Sequence, residues 1–212
     1  MRGKLLIYTG SGEGKTTAAI GHAIRFAGYG KKVAIIQFMK GRKTGEYRFL
    51  QNNVYIDIFL YGPPYFLATT QATLSGWFNG GGVEFVSLSS FREKKNTKKK
   101  VVADKIAQNL KSCSFETHKK KAQRGIEFVN NLLLKRKYKL LILDEILYAI
   151  KFKLIKEDDL ISILEKRKNI NIILTGRYAS DRIMKLADLV TVLQNEKHYF
   201  YTDKKTYISL DF

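Results

Sequence analysis

The stretch that most constrains this chain is IYTGSGEGKTTAAIG, residues 7–21. A short apolar run, Leu5 to Tyr8, enters a turn with Gly10, Gly12 and Gly14, and Lys15-Thr16 opens a segment with apolar residues at helical spacing. A strand, a glycine-rich turn and a helix in that order form a phosphate-binding loop. Backbone N–H groups in the turn and at the helix start converge on an anion, and the helix dipole adds to the attraction. The glycines let the backbone approach phosphate oxygens. The expected nucleotide-binding set is Gly10, Ser11, Gly12, Glu13, Gly14, Lys15, Thr16 and Thr17, with Lys15 as a point charge and Thr16 as a hydroxyl for Mg²⁺. One position departs from the usual pattern of glycine, four residues, then Gly-Lys-Ser/Thr. Thr9 stands where the first glycine belongs.

The rest of the chain repeats strand–helix alternation. Ala19, Ile20, Ala23, Ile24 and Ala27 share one helical face after the loop, and Gly28 and Gly30 stop that helix. Val33–Phe38 and Val54–Tyr61 read as strands, giving a βαβ start and hence a parallel sheet. Further on, the spacing predicts a helix near Lys119–Leu134 and a strand at Lys139–Leu143. A helix at Asp158–Lys166 and strands at Ile170–Leu174 and Leu189–Leu193 follow, with Ser180 capping a helix through Leu186. Tyr207–Leu210 is a further strand candidate. Regularity fails between Gly62 and about Cys113, where both prolines, Gly80-Gly81-Gly82 and the run REKKNTKKK lie. Residues 63–113 therefore read as a basic insertion or lid, with a short strand at Val83–Leu88. The expected architecture is one α/β domain of the P-loop NTPase type, a mostly parallel sheet flanked by helices.

Composition narrows the setting. No apolar run reaches the roughly 18 residues of a membrane span, the start of the chain lacks a cleavage-like segment, and a single cysteine excludes an internal disulfide. These point to the cytoplasm. The net charge of +19 admits a polyanion partner. The lysines gather between Arg92 and Lys139 with few aromatics to stack on bases, so a solvated basic face is the favoured reading. A nucleic-acid-associated P-loop ATPase using that insertion is the alternative.

The second half of a phosphate site is an acidic residue ending a neighbouring buried strand. LLILDE supplies Asp144 and Glu145, either or both of which would hold Mg²⁺ directly or through water. No Ser/His/Asp or Cys/His constellation accompanies them. His22, His118 and His198 are scattered, and packing is the reading for the first two.

Taken with GKKVAIIQFMKG…GE, ILTGR and LADLVTVLQNEKHYF, these motifs resemble the ATP:corrinoid adenosyltransferase family, the P-loop type of cob(I)alamin adenosyltransferase. Gln37-Phe38, Lys40-Gly41, Gly45-Glu46, Thr175-Gly176-Arg177, Ala187-Asp188 and Lys197-His198 match its pattern in order, over about residues 3–62 and 116–212. The resemblance implies transfer of the 5′-deoxyadenosyl group from ATP to Co(I) of a reduced cobalamin or cobinamide, with release of the whole triphosphate. Its loop also begins Thr-Gly-x-Gly, which the resemblance connects with a reversed triphosphate pose. It implies Lys15 and Glu145 as catalytic groups, Mg²⁺, an electron-donating flavoprotein and a homodimer. It implies an aromatic pair facing the corrinoid, for which Phe115 in CSFET and Tyr65 in GPPYF compete, Phe115 being preferred. This chain departs from the family at Glu13, where lysine is common, at Ser209, where glycine is usual, and from Pro63 to about Cys113.

Overall fold

The computed structural model describes residues 2–64 and 97–197, and the side chains in that range except those of residues 97–114. The chain divides into two compact units, Met1–Phe66 with Thr117–Glu196, and Leu67–Glu116 with Lys197–Phe212. The first contains all six described strands: β1 (Leu5–Thr9), β2 (Val33–Phe38), β3 (Ile56–Tyr61), β4 (Leu140–Asp144), β5 (Asn171–Thr175) and β6 (Leu189–Val192). They form one sheet in the order β3-β2-β4-β5-β1-β6, and every pairing is parallel. This is the α/β architecture the sequence predicts.

The central strands explain the order. β2 and β4 are buried along their whole length, as strands covered on both faces by helices must be. The buried residues of α1 (Lys15–Gly28) are Lys15, Ala19 and Ala23, and the helix packs on the cluster of Tyr8, Val33, Ile35, Ile142 and Ile173. Small alanines at that contact bring the helix backbone close to the sheet. Ile24, placed on the same face by spacing, is instead 52% exposed, because the stripe that meets the sheet is narrower than the apolar run. Gly30 ends the helix with φ +66, its N–H donating to the Ala27 carbonyl at 2.9 Å.

The main departure from the expected layout concerns α3, which runs from Thr97 to Lys135 instead of starting near Lys119. Its first half falls in the stretch read as irregular. That half opens in a lysine run but carries Val102, Ile106, Leu110 and Cys113 at helical spacing, and its lysine, alanine, glutamine and leucine are strong helix formers. Farther along, Ala122, Ile126, Val129, Leu132 and Leu133 are buried, and Phe128 meets Phe59 and Tyr61 of β3 edge-on or tilted at 4.7 and 5.6 Å between centroids. Three further helices are α4 (Ile146–Lys151), α5 (Glu157–Glu165) and α6 (Asp181–Lys185), while a short one, Gly45–Leu50 (α2), precedes β3. Ser180 caps α6 as expected, its Oγ accepting from the Ile183 N–H at 3.3 Å. The strands expected at Val83–Leu88 and Tyr207–Leu210 lie outside the described residues.

One family-matching position, Asp188, has a structural role. The Asp188 carboxylate accepts from the Leu5 N–H at 2.8 Å and from Lys4 at 3.1 Å, fixing the entry to β1. Arg167, only 3% exposed, holds Asp188 at 3.6 Å and donates to the Gly3 and Leu164 carbonyls.

Candidate functional site

Parallel register creates the site. Gln37 lies opposite Asp144 across β2 and β4, Leu143 lies opposite Leu174 one step earlier, and Thr175 lies opposite Tyr8. The row Gln37–Asp144–Thr175 therefore crosses the sheet at the carboxyl ends of its strands, where open α/β sheets bind ligands. The loop after β1 opens at the same end.

Asp144 is fully buried, and a carboxylate in that position requires hydrogen-bonding partners. Its Oδ1 accepts from the Thr16 hydroxyl at 2.8 Å and the Thr175 hydroxyl at 2.6 Å. Its Oδ2 accepts from Gln37 Nε2 at 3.0 Å and Lys40 Nζ at 3.0 Å. Burial alone would raise its pKa, but Lys40, Thr175 and Thr16 hold it below the ordinary carboxylate range. Thr175 Oγ1 in turn accepts from the Glu145 N–H at 2.9 Å.

Glu145 occupies the turn from β4 into α4 with φ +60. A non-glycine residue in that left-handed region costs about 1–3 kcal/mol and persists where the surroundings over-determine it. Burial and the neighbouring Asp144 charge push its carboxyl above the ordinary range, opposed by Lys40, Lys15 and Arg177. The two acidic residues thus have different characters. Asp144 has both oxygens engaged by protein donors, whereas no hydrogen bond to the Glu145 carboxylate occurs among the described residues.

The loop itself is tightly held. Thr9 is the last residue of β1, pairs with Val192 and is 6% exposed, so the turn starts one residue later, at Gly10 with φ +103. The threonine that broke the glycine pattern is a strand residue. A Cβ on Gly10 would lie 2.2 Å from the Leu193 carbonyl oxygen, and one on Gly12 would lie 2.7 Å from Gln194 N. Close approach of the chain after β6, as well as phosphate access, therefore demands glycine at both positions. The Gly12 N–H donates to the Leu193 carbonyl at 2.8 Å and the Glu13 N–H to Asn195 Oδ1 at 3.0 Å.

Lys15 is 8% exposed and donates to the Gly12 carbonyl. Burial lowers its pKa, Arg177 acts in the same sense, and Glu145, Glu13 and Asp144 oppose them. Ser11, Glu13, Gly14 and Thr17 are exposed along the loop and first helical turn. The structure thus joins Lys15, Thr16, Asp144 and Glu145, and adds Gln37, Lys40, Thr175, Arg177 and Asn195. Sequence reasoning had given these five no chemistry. Motif matches marked four of them, while Asn195 lies within the family-like stretch LADLVTVLQNEKHYF without being one of its matched positions.

Phe115 lies on α3 and is half-buried, but it belongs to the second compact unit; Tyr65 and His198 lie outside the described residues. His22 bonds the Tyr8 hydroxyl at 2.7 Å, and His118 is 1% exposed, in keeping with packing roles. Among the described residues no three His, Cys, Asp or Glu side chains gather as a metal cluster. Mg²⁺ needs no such cluster, since one or two carboxylates plus substrate phosphates commonly suffice. No described helix is long and apolar enough to cross a membrane.

Fold and site together define a P-loop nucleotide-binding protein. The chain belongs to the ATP:corrinoid adenosyltransferase BtuR/CobO/CobP family, whose model matches residues 1–79 and 80–212. It is 27% identical over 214 residues to the corrinoid adenosyltransferase of Escherichia coli (strain K12), covering 100% of this chain and 86% of that protein. Identity to the corrinoid adenosyltransferase CobA of Salmonella typhimurium (strain LT2) is 27% over 218 residues, with the same coverage. A KaiC-like protein of Pyrococcus horikoshii OT3 superposes with a TM-score of 0.49 at 14% identity, covering 92% of this chain and 74% of that one. The family match bears out the resemblance read from the motifs and makes the chain a transferase. It also runs through residues 63–113, for which the motifs had offered no counterpart.

Proposed function

We propose that this enzyme transfers the 5′-deoxyadenosyl group of ATP to the Co(I) centre of a reduced cobalamin or cobinamide. The cobalt electron pair forms the Co–C bond, the C5′–O bond breaks, and its electron pair leaves on intact triphosphate. The observation that carries the reading is the 2.8 Å bond from Thr16 to Asp144, which locks the phosphate loop to the acidic end of β4. Family membership supplies the acceptor class.

The chain's own groups are suited to this leaving group. Lys15 presents a positive charge from a buried base at the loop, where negative charge grows as triphosphate departs, and preorganised charge of that kind lowers barriers strongly. No protein base is required, because the nucleophile is the metal of the substrate.

Mg²⁺ fits the donor set. Glu145 has a carboxylate free of hydrogen bonds among the described residues, Thr16 has its hydroxyl at the loop, and buried Gln37 Oε1 has no hydrogen-bond partner there. A hydrated ion offers water donors to such an acceptor, and Mg²⁺ retains several waters. When bound, it would neutralise triphosphate charge. Glu145 and Thr16 are assigned to hold it directly, with Asp144 positioning Thr16. A flavoprotein electron donor, a homodimer and a cytoplasmic setting complete the proposal, on the strength of the family resemblance. Phe115 remains the proposed corrinoid-facing aromatic, with Tyr65 as its competitor.

Incubation with ATP and chemically reduced hydroxocobalamin tests the reaction. Adenosylated corrinoid and tripolyphosphate in equal amounts are expected. Orthophosphate with unmodified corrinoid would instead favour a P-loop ATPase.

A further inference from the structure

We propose that Lys40 is a second triphosphate-binding cation of this site, held in place by Asp144 and Glu46. The inference rests on the nucleotide-site reading above and deepens it.

The starting point is the way the backbone presents Lys40. It follows β2 by two residues, directly after Met39, whose φ of +59 is an uncommon left-handed conformation for a side-chain-bearing residue. The Met39 N–H donates to the Tyr61 carbonyl at 3.2 Å. A Cβ on Gly62 would lie 2.3 Å from the Met39 carbonyl carbon and 2.4 Å from Lys40 N. The backbone is thus clamped where Lys40 leaves the sheet, and the clamp directs its side chain to Asp144.

Next comes the account of its donors. Lys40 Nζ lies 3.0 Å from Asp144 Oδ2 and 3.9 Å from Glu46 Oε1, the second contact being beyond hydrogen-bond length. An ammonium carries three N–H donors. Among the described residues only the bond to Asp144 is made, so donor capacity remains. Its side chain is 28% exposed while Asp144 is 1% exposed, so an incoming anion can reach Lys40 though not the carboxylate beneath it.

Location decides what that anion is. Asp144 binds Lys40 on one oxygen and Thr16 on the other, so a single carboxylate separates Lys40 from the side chain that follows Lys15 in the phosphate loop. The Asp144 and Glu46 carboxylates, 3.0 and 3.9 Å from Lys40 Nζ, favour its ammonium form. A triphosphate spreads its charge over several oxygens, and one loop lysine engages only part of it. A cation anchored from the opposite strand would meet another part, whether or not a metal ion is present. The competing explanation is that Lys40 only neutralises a buried carboxylate.

The test measures equilibrium binding of ATP and of inorganic tripolyphosphate to the full chain in EDTA, with thermal midpoints recorded in parallel. Lys40→Met should weaken both ligands by about 10- to 100-fold, the loss typical of a hydrogen bond to a charged group, while Lys40→Arg retains most of the affinity. Lys40→Met binding tripolyphosphate as the wild type does would overturn the proposal, whatever its thermal midpoint. Amine acylation of the wild type gives an independent readout should Lys40→Met fail to fold. Tripolyphosphate should protect Lys40 together with Lys15. Protection of Lys15 alone would show that Lys40 is only a counter-charge. Wild-type protein that binds the ligands only once Mg²⁺ replaces EDTA would overturn this inference alone, and binding under neither condition would remove the nucleotide-site reading with it.

Discussion

Asp144→Asn is the most informative single change, because two hydroxyls, an amide and an ammonium all converge on one carboxylate. Asparagine retains one acceptor oxygen and turns an NH₂ toward whichever pair of donors it cannot serve. If the oxygen serves Thr16 and Thr175, the NH₂ faces Gln37 Nε2 and the Lys40 ammonium. Removing one partner of a buried ion pair costs about 3–5 kcal/mol. Lys40 is 28% exposed and keeps Glu46 at 3.9 Å, so water and the second carboxylate reduce the loss to about 3 kcal/mol. At about 2–4 °C per kcal/mol for a domain of this size, the thermal midpoint should fall by about 6–12 °C. Scanning calorimetry without nucleotide measures this directly. Adding Lys40→Met removes the stranded ammonium, so the double variant should lose less than the two single losses combined, as expected for contacting residues. A single variant that melts with the wild type, or a strictly additive double variant, would refute the electrostatic account of this hub.

Three further outcomes follow from the same geometry. Lys15→Ala should reduce adenosyl transfer at saturating ATP by about 10²–10³-fold, the usual loss for one preorganised electrostatic group; a wild-type rate would exclude the loop from the chemistry. Glu145→Gln should shift the Mg²⁺ titration to higher concentration with the thermal midpoint largely kept, since it preserves shape and removes only charge; an unchanged titration would refute the metal assignment. Asp188→Asn tests a pH effect. The Leu5 N–H and Lys4 hold the Asp188 carboxyl below its ordinary range, so its stabilisation is complete above the unfolded value of about 3.9 and disappears as pH falls through the lower folded value. The gap in thermal midpoint between wild type and variant should be constant near neutrality and close below about pH 4; a gap that persists in acid would contradict that sign.

Sequence reading succeeds here where structure depends on local pattern. β3 begins at Ile56 instead of Val54, and β5 spans Asn171–Thr175 instead of Ile170–Leu174, because runs of apolar and β-branched residues specify buried strands and only their ends are ambiguous. The first half of α3 was legible in principle from Val102, Ile106, Leu110 and Cys113 at helical spacing, but the glycines and prolines before it and the lysine run at its start made the whole stretch read as irregular. Periodicity missed α2 and α4, each six residues long and too short to display a period.

The site divides along the same line. Lys15, Thr16, Asp144 and Glu145 were legible because each belongs to a short contiguous motif whose chemistry follows from spacing. Gln37 and Thr175 become partners of Asp144 only because the parallel register places residues 107 and 31 positions away in sequence against one carboxylate. No local pattern encodes that alignment. The glycines show the converse, in which a correct residue was given an incomplete reason. Gly10 and Gly12 were attributed to phosphate access, yet the backbone at Leu193–Gln194 already excludes a side chain at both positions. The loop is thus shaped from behind by the chain that follows β6 and tied at its far end to β4 through Thr16. Its conformation is set by the sheet, so the nucleotide need not supply the ordering energy, and in the proposed reaction binding energy that would otherwise be spent on folding the loop remains for charge stabilisation at the departing triphosphate.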